Sequence, residues 1–157
     1  MTDSDISKIS GLRSKVSNLS CNFYGDFDAV FDYCGEEGYV NSFGHHYCNE
    51  YLAHRDEFKN KEWQDSVRSC LQNKLVDYAL AQKSFPTCKQ ISDAGFGSHQ
   101  GCYLQPNPAK KDLTWCNLPF LDMVKVAWIA KGAYWEVLAQ GIPILLKCFT
   151  PSMASLE

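Results

Sequence analysis

The distribution of eight cysteines constrains the fold of this chain more than any other feature of its sequence. Neighbouring cysteines are at least 13 positions apart, so the closely spaced pairs of zinc knuckles and thioredoxin-type redox sites do not occur. An even number of separated cysteines favours four intramolecular disulfides over eight free buried thiols. We therefore predict a disulfide-linked domain from an oxidising, extracellular compartment. The positions are Cys21, Cys34, Cys48, Cys70, Cys88, Cys102, Cys116 and Cys148.

The composition excludes several other classes of protein. Of the 157 residues, 45% are hydrophobic and 13% are aromatic, a content too high for an intrinsically disordered chain. The net charge of −3 argues against a nucleic-acid-binding protein, which normally has a basic face. No run of 18 apolar residues occurs, so we expect no transmembrane segment. The length fits one domain, 1–157.

The N-terminal residues bear on processing and location. Charged residues interrupt positions 1–20, so they lack the apolar core of a signal peptide, and we expect a mature fragment of a secreted protein. Asn18 begins an Asn-Leu-Ser sequence, the acceptor motif for N-glycosylation. The sequence therefore predicts a secreted glycoprotein with Asn18 as its glycosylation site.

Apolar residues recur every three or four positions, a period typical of amphipathic helices. The clearest helix begins after Asn60 and places Trp63, Val67 and Leu71 on one face. Polar residues of this helix, including Asp65 and Arg68, are predicted to lie largely on other faces. No segment shows the alternation of a β-strand. We predict an all-α, disulfide-stapled bundle of about five helices.

Sequence signals also predict where helices begin and end. Asp3 and Ser4 are candidate caps for the first helix, and Thr87 follows a proline and can cap a helix from residue 88. The last long helix is predicted from about Pro119 to Gln140. The segment 141–143, Gly-Ile-Pro, is expected to break it.

Two aromatic groups suggest different environments. Tyr39, Phe43, Tyr47 and Tyr51 recur every four residues and are predicted to face the interior. In the last helix, Trp128, Tyr134 and Trp135 spread over more than one side. Such a helix is either central in the bundle or covered by a partner, so these three residues form a candidate protein interface, including that of a homodimer.

One line of potential metal ligands lies on the third predicted helix. His46, Glu50 and His54 are four residues apart, and imidazole and carboxylate groups one turn apart can share a zinc ion. A straight helix offers only two successive positions to one metal, so a third ligand, for example His99, would be required. A solvated polar face is the favoured alternative.

An acidic segment raises the question of calcium binding. Its residues begin the alternation of an EF-hand loop and then depart from it. A hydrated helix start, favoured by the helix dipole, is the alternative that we prefer over a weak calcium site. The residues are Asp26, Asp28, Asp32, Glu36 and Glu37.

The central part of the chain resembles the stanniocalcin family. The resemblance extends over about 34–148, is strongest over 47–103, and lies mainly in the cysteine spacing. The residues that carry it are the segment 47–52 (Tyr-Cys-Asn-Glu-Tyr-Leu), Phe58, Lys61, Trp63, Val67, Cys70, Leu71, Cys88, Ile91 and the segment 99–103 (His-Gln-Gly-Cys-Tyr).

The resemblance implies a disulfide pairing and a role. It implies the pairs Cys70–Cys102, Cys116–Cys148 and Cys34–Cys48, which leaves Cys21 with Cys88. Stanniocalcins carry an additional cysteine that links two subunits, whereas this chain has an even set, so a disulfide-linked dimer is not implied. The implied role is that of a secreted, non-enzymatic, hormone-like signalling or binding protein, linked to calcium and phosphate balance.

Two other functions are compatible with the residues. One is a secreted hydrolase or toxin that uses the helix bearing His46 and His54. The other is a carrier that holds a lipid or another small apolar ligand between the aromatic faces. Because no nucleophile motif or phospholipase signature is present, we expect no enzyme, no catalytic residue and no cofactor.

Overall fold

Helices account for most of the chain in the computed structural model, which describes residues 1–150, and no β-strand occurs in that range. The predicted all-α, disulfide-stapled fold is confirmed. No helix within this range is both long and apolar enough to cross a membrane. The α-helices are α1 (Asp3–Gly11), α2 (Asn22–Val30), α3 (His46–Ala53), α4 (Lys61–Ala81), α5 (Cys88–Gly97), α6 (His99–Leu104), α7 (Phe120–Ile129) and α8 (Tyr134–Phe149).

Side-chain caps fix the starts of three helices. Asn60 accepts a hydrogen bond from the backbone N–H of Trp63, and Thr87 forms a reciprocal capping box with Gln90. Both starts agree with the sequence prediction. The cap of α1 is Thr2 rather than Asp3 or Ser4, because Thr2 is the residue whose hydroxyl accepts from the N–H three positions ahead.

The C-terminal region differs from the predicted single helix ending near residue 140. α7 ends at Ile129, a 3₁₀ turn covers Ala130–Ala133, and α8 continues through Pro143. The predicted break at residues 141–143 is therefore wrong. Pro143 has no backbone N–H and so removes one hydrogen bond from the helix. The burial of Ile144 and the disulfide of Cys148 hold the chain after the proline in place and compensate for this loss.

Two clusters of buried side chains form the core, and α4 contributes to both. Leu75 and Val76 in the second half of α4 belong to a cluster with α1 and α2. Trp63 and Val67 in its first half belong to a cluster with α7 and Ile144 of α8. The 21-residue helix α4 is therefore the element that joins the two clusters.

All eight cysteines form disulfides: Cys21–Cys48, Cys34–Cys88, Cys70–Cys102 and Cys116–Cys148. The last two are pairs that the stanniocalcin resemblance implies. The other two implied pairs, Cys34–Cys48 and Cys21–Cys88, are wrong, because their partners are exchanged.

The packing of α2 explains this exchange. α2 lies against the π-helical turn Val40–His45 that leads into α3, which brings Cys21, at the start of α2, to Cys48 with a Cα–Cα distance of 5.9 Å. The chain after α2 is directed instead toward the start of α5, where Tyr33 donates a hydrogen bond to the Pro86 carbonyl. Cys34 consequently pairs with Cys88.

Candidate functional site

A large apolar cavity lies between α4 and the helices that face it. Its volume is about 450 Å³, and its walls come from α3 and the preceding π-helical turn, α4, α6, α7 and α8. Binding sites for small molecules are typically mostly apolar and about 300–1,000 Å³ in volume. By size and chemistry this cavity is the candidate functional site.

The predicted aromatic stripe forms one wall of the cavity. Tyr39, Phe43, Tyr47 and Tyr51 all line it. The ring of Phe43 lies 4.7 Å from that of Tyr47 and 4.5 Å from that of Phe96 on α5, measured between centroids. The stripe therefore faces the interior, where it lines open space.

One glycine makes the close packing of this wall possible. The ring of Tyr39 lies directly over Gly95 in α5, and a Cβ atom at Gly95 would be 2.2 Å from a ring carbon of Tyr39. Only a residue without a side chain allows this approach. Gly95 thus fixes the position at which the stripe meets α5.

α7 and α8 form the opposite wall and the mouth of the cavity. Val126 and Ile144 are buried there. Phe120, Val124 and Ile142 line the cavity and are also exposed to solvent, by 75%, 48% and 53% respectively. The entrance is therefore rimmed by apolar side chains, which favours an apolar rather than a polar molecule at the mouth.

Several polar groups in the wall are neutral. Tyr51 donates a hydrogen bond to the Val126 carbonyl at 3.1 Å, and burial raises the pKa of Tyr103 to about 12. Burial also lowers the pKa of His99, whose Nδ1 lies 2.9 Å from the Gly95 carbonyl oxygen and donates to it. At neutral pH these three side chains are therefore uncharged.

A charged cluster formed by Arg55, which precedes α4, and by Asp65 and Arg68 of α4 lies beside the cavity. Arg55 binds the Asp65 carboxylate through two hydrogen bonds of 2.8 and 2.7 Å, and Arg68 donates to the same carboxylate at 3.1 Å. Asp65 and Arg68 are buried, contrary to the prediction that they lie on other faces of α4. Their burial follows from mutual ion pairing, which compensates part of the cost of desolvation.

The structure does not bring the predicted metal ligands together. His46 and Glu50 are exposed on α3, whereas His54 follows the end of this helix and bonds to Glu57, with Nδ1 2.8 Å from Oε1. His99 lies in the cavity wall instead. Among the side chains that the structure describes within residues 1–150, no group of three His, Cys, Asp or Glu residues has the arrangement of a metal site; the side chain of Asp32, in the acidic segment, lies outside that set.

The predicted interface residues lie around the turn from α7 to α8. Trp128 is 48% exposed, with the Nζ atom of Lys131 4.4 Å from its ring centroid and that of Lys125 at 5.1 Å. Trp135 is 75% exposed. The side chain of Tyr134 is outside the described part of the chain. The interface therefore stays a prediction.

The predicted glycosylation site is accessible. Asn18 is exposed in the segment before α2, and its backbone carbonyl accepts a hydrogen bond from Arg68 Nη1. Modification of Asn18 remains a prediction.

The sequence did not identify Gln64 and Arg68 as residues of the site. Both line the cavity and are buried, with 3% and 4% exposure. The available signal was their spacing, because they flank Trp63 and Val67 on the edge of the apolar face of α4. Polar residues at that edge are usually solvated, so the pattern alone favours the surface.

Comparison of the chain with protein-family models, with curated proteins and with solved structures finds no match. The resemblance to stanniocalcins therefore stays a prediction from the sequence. The four disulfides are compatible with an extracellular protein.

Proposed function

We propose that this protein is an extracellular, non-enzymatic binding protein that carries a small apolar molecule between its helices. The observation that supports the proposal is the cavity of about 450 Å³ lined mainly by aromatic and aliphatic side chains. The four disulfides support the location, since disulfides persist in oxidising compartments.

A ligand would supply contacts that the atoms of the cavity wall otherwise lack. Atoms that face a void forfeit dispersion contacts with the missing neighbours. An apolar ligand would restore those contacts and would remove its own surface from water, at about 25 cal/mol per Å² of apolar area. Rings such as Phe43 and Tyr47 offer wide, flat surfaces for this purpose.

Among the functions considered from the sequence, the carrier is the one that these observations favour. The hydrolase alternative relies on His46 and His54, but these side chains point to different neighbours, Tyr47 and Glu57. The signalling role implied by the stanniocalcin resemblance is compatible with ligand carriage.

A fluorescence titration with the neutral probe N-phenyl-1-naphthylamine tests the proposal. The oxidised protein is expected to bind one probe molecule saturably, with enhanced emission. Ala127→Trp, on the cavity side of α7, should weaken binding at least about tenfold by filling the mouth.

The matched control is Ala29→Trp, the same substitution at an exposed position of α2 outside the cavity. It should bind the probe as the wild type does. The proposal is wrong if the wild type shows no saturable binding, or if both tryptophan variants bind equally well.

A further inference from the structure

The cavity contains two buried polar side chains that a purely apolar ligand would not require. Gln64 and Arg68 are 3% and 4% exposed, and both line the cavity from α4. Gln72, two turns along the same helix and fully buried, is a useful contrast, because it accepts from the Ser17 N–H and donates to the Ser20 carbonyl. Gln72 is a structural residue, whereas Gln64 lines the cavity and its amide nitrogen has no hydrogen-bond partner among the described residues.

Each of the two side chains has a buried donor without an acceptor within residues 1–150. They are Nε2 of Gln64 and Nε of Arg68. The orientation of the Gln64 amide follows from chemistry, because Arg68 Nη2 lies 2.5 Å from Oε1, and arginine can only donate. The amide nitrogen is therefore left unpaired.

Buried donors without partners are rare in native proteins, because each one costs free energy through lost hydration. Trp115, on the same cavity, has a third such donor at Nε1. In contrast, Nε1 of Trp63 donates to the Tyr103 carbonyl at 3.0 Å. The unpaired groups described in the cavity wall are therefore all donors, which selects for a ligand with an acceptor.

The charge around Arg68 indicates what kind of acceptor fits. Asp65 is shared between two guanidinium groups, Arg55 and Arg68, and Arg55 has a second carboxylate, that of Asp56, 3.9 Å from its Nη1. Arg55 takes both carboxylate oxygens in a bidentate pair, whereas Arg68 reaches only one. Arg68 is thus the less compensated of the two arginines, and it is the one in the cavity wall.

We propose that the ligand is an amphiphile with a carboxylate head, which accepts hydrogen bonds from Gln64 Nε2 and Arg68 Nε while its hydrocarbon tail lies along the aromatic stripe toward the mouth between α7 and α8. This inference rests on the proposed carrier function and names its ligand class. A carboxylate accepts from several donors and pairs with Arg68, whose own carboxylate partner is shared with Arg55, whereas a cation beside Arg68 would meet like charge.

Competition between two ligands of equal chain length tests the head group. Palmitate and hexadecanol each displace N-phenyl-1-naphthylamine from the oxidised protein, and the ratio of their affinities is measured. The wild type is expected to prefer palmitate by at least about tenfold, because charge-assisted hydrogen bonds are roughly twice as strong as neutral ones.

Gln64→Glu is the informative variant. It keeps an oxygen for Arg68 but replaces the free amide donor with a carboxylate, which compensates Arg68 internally and repels a ligand carboxylate. The preference for palmitate should fall to parity or reverse. Gln105→Glu, the same substitution at an exposed position outside the cavity, should retain the wild-type ratio and so controls for net charge.

The outcomes separate this inference from the proposed function. If the wild type binds the probe but shows no preference for palmitate, the carboxylate head is refuted and the carrier function stands. If the wild type binds neither probe nor lipid, the carrier function itself is refuted. If Gln64→Glu retains the wild-type preference, Gln64 does not contact the head group. Since the wild-type ratio needs no variant, a Gln64→Glu chain that fails to fold does not prevent the test.

Discussion

The Cys116–Cys148 disulfide should determine whether the cavity keeps its outer wall. α8 forms part of the wall and mouth, yet Ile144 is the residue of this helix with the deepest burial among those described, at 2% exposure. Leu146 and Phe149 in its last turns are 61% and 83% exposed. The disulfide is therefore a major attachment of the C-terminal end of α8.

The contribution of this disulfide to the free energy of unfolding follows from the length of chain that it closes. A separation of 32 residues corresponds to about 3.7 kcal/mol of unfolding free energy at 25 °C in the chain-entropy treatment. For a chain of 157 residues, an unfolding entropy of about 2.1 cal/mol/K per residue converts this into a fall in melting temperature of about 11 °C. We expect that fall for the double variant Cys116→Ser/Cys148→Ser.

The assay combines thermal unfolding by circular dichroism with probe titration at 25 °C. The double variant should melt earlier and bind N-phenyl-1-naphthylamine at least about tenfold more weakly, because the wall formed by α8 is released. Cys34→Ser/Cys88→Ser is the matched control. Its separation of 54 residues predicts a somewhat larger loss, about 4.2 kcal/mol, but these cysteines lie outside the cavity, so binding should persist.

Two results would refute this reasoning. One is a Cys116→Ser/Cys148→Ser variant with the melting temperature of the wild type, because the disulfide would then contribute little to stability. The other is equal loss of probe binding in both double variants, because the effect would then reflect general destabilisation rather than the position of α8.

Three further predictions concern the packing and electrostatics of the fold. Gly95→Ala should lower the free energy of unfolding by about 1–2 kcal/mol in urea titrations, because its Cβ would meet the Tyr39 ring at 2.2 Å. Gly97 in the same helix has open space around it, so Gly97→Ala should be at least as stable as the wild type. Equal effects of the two substitutions would contradict the packing argument. Asp122→Ala should lower the free energy of unfolding by about 2–4 kcal/mol in the same assay, because this buried carboxylate accepts hydrogen bonds from two backbone N–H groups just before α4. A loss below about 0.5 kcal/mol would show that water replaces the carboxylate. Burial raises the pKa of Asp65, but the hydrogen bonds and positive charge of two arginines outweigh burial, so the pKa in the folded protein is lower than the ordinary value. The ionised Asp65 therefore stabilises the fold above the ordinary carboxyl pKa of about 3.9. This stabilisation is lost as the pH falls through the lower pKa of the folded state. Unfolding titrations between pH 5 and 2 should show a smaller loss of stability for Asp65→Asn than for the wild type, and an identical slope would contradict this linkage.

Local sequence patterns predicted those features that depend on neighbouring residues along the chain. Asn60 and Thr87 marked helix starts because a side chain caps the backbone only three positions ahead. The spacing of Tyr39 and Phe43 placed both rings on one side because helical periodicity fixes which residues share a face. The even set of cysteines likewise indicated four disulfides.

Local patterns failed where distant segments set the outcome. The sequence predicted a break near Pro143, but the disulfide of Cys148 and the burial of Ile144 hold α8 together across the proline. The partners of Cys21 and Cys34 depended on the direction in which α2 lies against the π-helical turn that precedes α3. Such directions are set by packing between helices rather than by spacing.

The candidate site shows the same division. The sequence by itself determined a helical, disulfide-linked chain with an aromatic stripe toward the interior, because periodicity and cysteine count are local properties. Only the tertiary structure decided that the stripe lines a cavity and that Gln64 and Arg68, which also line it, carry buried donors without partners. Whether a polar side chain at the edge of an apolar face meets water, a partner or a void depends on helices that are remote in sequence, since burial is a property of the assembled fold.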